Sequence, residues 1–258
     1  MEIMKKLLSR ILFLVFIGFA WEFIYRCNIF TPLLFPSLQA ILDSLLAGIM
    51  SGELIVRTLV TLGIIFQGLC LGIIVALFLT GLSQINKLFY EIVDNLVFIM
   101  NPIPGMAIYP LCVLLFGIGR DAMLFIIVHS VVWGLLINVL AGIKAIPHVH
   151  KEVALNFELN KIRTIKDIYI PASMTYVIPG IRAAFARAWR TTISVEIIAG
   201  VLANNSGLGW IMTYQRNTLD IAGLYSTIIM IIIVGIVIEE AIFKTAIRLT
   251  IEKWGNVQ

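Results

Sequence analysis

Long apolar runs alternate with short polar stretches along the whole chain. The first run covers 11–25, after a short basic head at 1–10, and no small-residue cleavage site follows it. It reads as a retained first span rather than a removable leader. Further runs occupy 54–82, 88–117, 122–143, 173–202 and 221–249. Crossing a hydrocarbon layer of ~30 Å takes ~20 apolar residues in a helix, so the pattern predicts about six transmembrane helices and an all-α membrane protein. Residues 31–52 differ: Pro32 and Pro36 precede Ser37, a natural N-cap, and Leu38, Ile41, Leu42, Leu45, Leu46 and Ile49 form an apolar stripe too short to span. An interfacial helix is expected there.

Interruptions inside the runs carry their own information. Gly68, Gly72, Ala76 and Thr80 recur every fourth residue, so one face of the second span lets another helix approach closely. Asn101-Pro102-Ile103-Pro104-Gly105 cannot sit in an unbroken helix, and non-helical backbone at membrane depth must face protein or a wet cavity. Its freed carbonyls are pathway candidates, as in transporters with discontinuous helices. Pro179-Gly180 predicts a bend in the fifth span, and 204–220 reads as a polar, glycine-punctuated connection. Glu22 and Arg26 stand four apart in the favourable acid-before-base order and are expected to pair.

Composition agrees with the pattern. With 258 residues, 60% hydrophobic and 13% charged, the chain is too poor in charge for a soluble domain and is read as one membrane domain, 1–258. Cys27, Cys70 and Cys112 form no spaced cluster and are expected as buried thiols, with no disulfide framework or metal site. Lys and Arg are distributed unevenly. With the N-terminus inside, twelve fall on inner segments (Lys5, Lys6, Arg10; Lys87; Lys144, Lys151, Lys161, Arg163, Lys166; Lys244, Arg248, Lys253). Four fall outside (Arg26, Arg57, Arg120, Arg216), and Arg182, Arg187 and Arg190 lie within the fifth span. Both termini are therefore expected in the cytoplasm.

The polar stretch 147–171 stands out between the fourth and fifth runs. Pro147 suits a first helical turn, and Pro171 is expected to close the segment. Val153, Ala154 and Phe157 predict one short helix; Ile162, Ile165, Ile168 and Tyr169 predict a second, with Lys161, Arg163, Lys166 and Asp167 on its polar side. Such a pair between membrane spans makes a docking surface for a soluble partner.

Glu152-Val153-Ala154, Ile168 and Ile170-Pro171 stand at the spacing of the E-A-A-x3-G-x9-I-x-L-P coupling motif, and here the chain resembles the permease subunits of ABC importers. Val153 and Ile170 are mild departures. Glu158 stands where the family has glycine, and since it resists the positive φ of a tight turn, Asn156 or Asn160 is expected to take that position, slipping the turn by about two residues. Phe35-Pro36-Ser37, Ser51-Gly52-Glu53-Leu54 and Asn205-Ser206-Gly207-Leu208-Gly209 are similar to the nitrate, sulfonate, taurine and bicarbonate branch, which also holds permeases for thiamine-precursor pyrimidines.

The resemblance implies a type I ABC importer (MetI-like) fold in the bacterial inner membrane. It implies a second permease copy, two ATP-binding subunits carrying ATP and Mg, and an extracytoplasmic solute-binding protein. Coupling to the ATPase is implied for Glu152, Val153, Ala154, Glu158, Ile165, Ile168, Ile170 and Pro171. The chain has no G-x-x-x-x-G-K-[ST] phosphate loop, so no catalytic residue and no cofactor of its own are expected.

For the substrate pathway the candidates are Arg187, Arg190, Glu196, Asn101 and Pro102. Ionised groups at membrane depth cost at least ~2.5 kcal/mol near the centre, so they face the bundle interior, either lining an anion's path or pairing with Glu91, Asp94 or a carbonyl. Arg182 is near enough to the inner surface to snorkel. His129 is read as a hydrogen-bonded interior histidine, and His148 and His150 do not share a helical face as metal ligands would. Asn205, Ser206, Gly207 and Trp210 are candidates for an outer gate or binding-protein contact. An ion-driven carrier is the rival reading, and would favour carboxylates along the path. From the coupling spacing, Glu152→Lys is predicted to abolish uptake while leaving membrane insertion intact; uptake at the parental level in cells would refute that role.

Overall fold

The computed structural model describes residues 2–160, 163–199 and 207–247, and the described residues are helical with no strand. In chain order the helices are α1 (Glu2–Arg26), α2 (Leu38–Met50), α3 (Glu53–Ser83), α4 (Lys87–Met100) and, after a 3-10 turn at Gly105–Ile108, α5 (Tyr109–Phe116). Then come α6 (Arg120–Lys144), α7 (His148–Asn156), a π turn at Thr164–Tyr169 leading into α8 (Ile170–Ala199), α9 (Leu208–Asn217), and α10 (Ile221–Ile238) with a second π turn at Glu239–Phe243.

Local chemistry sets the boundaries. The Ser37 hydroxyl accepts the Ala40 N–H at 3.2 Å, as a cap should, and Asn86 caps α4 by accepting from Phe89 at 3.0 Å. Gly52, between α2 and α3, takes φ +78°, which glycine adopts without strain. Asp220 starts α10 by accepting the Gly223 N–H at 2.9 Å.

By length and composition α1, α3, α6 and α10 with its π turn each suffice to cross a membrane, and α4 with the 3-10/α5 segment does so only when the two arms, bent by 88° at the break, are taken together as one span. The fifth expected span corresponds to α8, whose 30 residues carry Arg182, Arg187, Arg190 and Glu196. It is helical without interruption through Pro179. Gly180 there lies against Asn138 of α6, where a Cβ would come within 2.7 Å of the Asn138 Cβ.

α6 is the centre of the bundle, packed against α3 on one side and α8 on the other. The small-residue stripe of α3 is buried, as expected, and faces α6. A Cβ at Gly68 would stand 2.3 Å from Ile127, and one at Gly72 would stand 2.5 Å from Val131. The main core joins Ile65 and Ala76 of α3 to Val131 and Leu135 of α6 and Ala184 and Ala188 of α8. α1 lies outside it: none of the 8–26 window is buried, and the helix is tied on through Trp21, which stacks on Phe35 and donates to the Pro36 carbonyl at 3.0 Å. α2 buries Ile41 and Leu45 but leaves Leu42 and Leu46 exposed, a narrower apolar contact than the stripe foretold.

Glu22 and Arg26 pair at 3.0 Å. Arg182 pairs with Glu239, and Glu240 with Lys244 at 2.8 Å. Cys27 is exposed rather than buried, because it falls just past the end of α1, while Cys112 is buried.

Gly72→Ala is predicted to lower the midpoint of thermal unfolding in detergent, because over-filling a packed contact costs about 1–3 kcal/mol. Gly63→Ala, whose Cβ would meet nothing within 4 Å, should be neutral or stabilising by up to ~1 kcal/mol. Equal midpoints for the two variants would contradict this account of the α3–α6 contact.

Candidate functional site

The chain leaves helical geometry between α4 and the 3-10 turn because Pro102 and Pro104 have no N–H to donate, and the backbone turns over α6 and α8. It comes very close: a Cβ at Gly105 would stand 2.3 Å from the Ser130 hydroxyl and 3.3 Å from Thr191. Between this turn, α6 and α8 lies a cavity of about 280 Å³. Asn101, Pro102, His129, Trp133, Arg187 and Arg190 are among its lining residues, and among the described residues no carboxylate lines it. Four of the five pathway candidates are thus brought to one place.

Arg187 is fixed there by its neighbours. Its Nε donates to the Ser130 carbonyl at 3.2 Å, and its guanidinium lies against bare backbone at Gly134, where a Cβ would be 1.9 Å from Nη2. Thr191, one turn further on, donates to the Ser130 hydroxyl at 3.2 Å. Arg190 is exposed at the same cavity. Neither arginine forms an ion pair among the described residues; Glu91 is engaged by Lys87 at 3.7 Å. Two guanidiniums without a carboxylate give the cavity a positive potential.

Glu196 is placed elsewhere. It is 4% exposed and closes a three-helix clamp: the Thr61 hydroxyl of α3 donates to its carboxylate at 2.9 Å, and the Gly209 N–H of α9 donates at 2.9 Å. Thr61 in turn accepts the Leu208 N–H at 2.9 Å. The clamp satisfies free N–H groups at the start of α9. Residues expected to form an extended polar connection are therefore helical from Leu208, and Gly207 is buried against Thr61 and Glu196 instead of presented to an outer partner. Trp210 stacks on Tyr214 and lies under Arg57, 4.5 Å from its ring centroid. Asn205 and Ser206 lie outside the described residues.

At the end of the bundle marked by Lys144, the polar stretch begins with α7. Glu158 itself adopts φ +46°, so the left-handed position has not slipped to Asn156 or Asn160. Asn160 is engaged otherwise: its side chain accepts the Arg163 N–H at 2.9 Å, a capping role incompatible with the turn position proposed for it. Pro171 does not end the following segment. The π turn passes the helix directly into α8, and the altered ladder at such a turn accommodates a residue lacking an N–H. Glu152 is exposed, as are Phe157, Ile165 and Ile170. Lys161 and Ile162, and the side chains of Val153 and Ala154, lie outside the described residues.

The family model described as "Binding-protein-dependent transport system inner membrane component" matches residues 68–244, from the middle of α3 to the end of the second π turn. The chain belongs to that family. The permease is 27% identical over 226 residues to a chain of Methanocaldococcus jannaschii, provisionally named an ABC transporter permease, covering 86% of this chain and 83% of that one. It is 25% identical over 251 residues to the taurine transport system permease protein of Escherichia coli, covering 92% and 86%. With the bicarbonate transport system permease protein of Synechococcus elongatus the identity is 26% over 185 residues, covering 71% of this chain and 65% of that one.

Sequence reasoning missed His129, Ser130 and Trp133 as members of the permease's cavity. The available signal was the i, i+4 spacing of His129 and Trp133 on an otherwise apolar helix, which sets both on one face. His129 was expected to be hydrogen-bonded, yet neither ring nitrogen has a partner.

Thr61→Val is predicted to destabilise the permease by about 1–3 kcal/mol, since it leaves the buried Glu196 carboxylate with the Gly209 N–H alone of the two clamp donors and the Leu208 N–H without its acceptor. Thr61→Ser should restore most of the loss. An unfolding midpoint for Thr61→Val equal to the parental one would show that the clamp contributes nothing.

Proposed function

We propose that the permease is the transmembrane subunit of an ATP-driven importer and passes a small anion, such as nitrate, a sulfonate, taurine or bicarbonate, through the cavity between α6 and α8. The observation that carries the anion reading is the pair Arg187 and Arg190 at one cavity whose lining contains no acidic side chain. Cations at membrane depth are costly unless matched, and a transported anion matches them.

In this reading ATP and Mg are held by two separate ATP-binding subunits. They dock on the stretch from α7 to the first π turn, with Glu152 and the exposed Phe157 and Ile165 as contacts. A second copy of the permease completes the pathway, an extracytoplasmic protein delivers the solute, and both termini face the cytoplasm. Closure of the ATPases on ATP moves the docked stretch and shifts the bundle between inward and outward access.

Arg190→Ala is predicted to reduce solute-stimulated ATP turnover of the purified assembly about tenfold without dissociating it. An unchanged rate in the intact assembly removes Arg190 from the pathway.

A further inference from the structure

Buried polar atoms in proteins are almost always hydrogen-bonded, and a concentration of exceptions requires an explanation. Among the described residues five buried side-chain nitrogen or oxygen atoms lack a partner. Four of them belong to residues lining the one cavity: His129 Nδ1 and Nε2, Trp133 Nε1 and Arg187 Nη2. The fifth, on Thr192, follows the cavity residue Thr191 in sequence.

What these groups can accept is narrow. The indole N–H and the guanidinium only donate, and an imidazole donates from at least one nitrogen. His129 and Trp133 stand one turn apart on α6, edge to face with ring centroids 5.9 Å apart, while Arg187 and Arg190 approach from α8. Donors on two sides and no carboxylate define a site for a compact anion bearing several acceptor oxygens. The volume of about 280 Å³ falls just below the ~300–1,000 Å³ of drug-sized sites, which suits a solute of a few heavy atoms.

We propose that this cavity is a binding site for a small oxyanion within the permease itself, and that His129 and Trp133 determine which anion it accepts. The inference rests on the anion reading above and extends it to two residues on a second helix. In the present state the unpartnered nitrogens are turned into the cavity wall, so binding requires His129 and Trp133 to turn toward the ligand. Ligand contacts then stabilise the turned arrangement over the present one. A solute lacking enough oxygens leaves one of these donors unpaired, and that is how the site discriminates.

The test is isothermal titration of the full chain in lipid nanodiscs with its ATP-binding subunits, using nitrate, bicarbonate and taurine as probes and urea as a neutral trigonal control. Parental protein should bind at least one of the three and not urea. Trp133→Phe keeps the aromatic wall and deletes only the N–H; it should weaken binding about tenfold, as expected for losing one hydrogen bond to a charged group. His129→Phe should do the same and also change the order of preference among the probes. Monodisperse assembly on size exclusion is required of each variant; where one fails it, Trp133→Leu replaces Trp133→Phe and His129→Leu replaces His129→Phe.

Binding that is unchanged in the variants, while Arg190→Ala still weakens it, overturns the roles of His129 and Trp133 and leaves the anion pathway standing. Absence of binding by all three probes, or equal binding of urea, overturns the site. If Arg190→Ala also leaves solute-stimulated turnover unchanged, the anion pathway falls with it.

Discussion

Where α6 meets α3 and α8, the helices touch through glycine, and the position of every functional group follows from that closeness. Membrane helices gain little from excluding water and are held by van der Waals contact and interhelical hydrogen bonds. Gly68 and Gly72 let Ile127 and Val131 of α6 sit directly on the α3 backbone. Gly134 and Gly180 do the same between α6 and α8, one receiving the Arg187 guanidinium and the other Asn138. A cation is thereby held at the middle of the bundle by surfaces without side chains. Polar contacts then tie the helices at set points: the Glu196 clamp joins α8 to α3 and α9, one carbonyl of α6 orients Arg187, and Thr191 of α8 donates to the Ser130 hydroxyl of α6.

The architecture was legible because hydropathy and small-residue spacing are strong local signals. The α3 stripe, the Ser37 cap, the Glu22–Arg26 pair and the break at Asn101–Gly105 all act within a few residues of themselves. The candidate site was half legible. Arg187 and Arg190 announced themselves as charge within an apolar run, and Asn101 and Pro102 as part of a break that no continuous helix can hold. His129 and Trp133 did not, because their significance lies in the lack of an internal partner, which depends on neighbours distant in sequence. Glu196 has the same lesson in reverse: a buried carboxylate suggested a path, but the groups that engage it come from Thr61 and Gly209.

Turn chemistry was the least transferable signal. Glu158 occupies a conformation that glycine takes at no cost and that strains an L-residue with a long side chain. Asn160, the better intrinsic candidate, is committed as the cap of the next segment. Pro171 was expected to stop a helix and stands just beyond a π turn that lets the helix continue. In both cases the fold of the segment as a whole overrides the preference of one residue.

That continuity at Pro171 has a mechanical meaning. From Ile170 to Arg187 the chain is helical throughout, and at 1.5 Å per residue this is a run of roughly 26 Å that carries Pro179, with no N–H for the ladder, at its middle. The π turn at one end and the guanidinium at the other are therefore joined by helix, with no loop between them. The edge of the bundle and its charged interior thus belong to one continuous element whose least supported point is the proline at its middle.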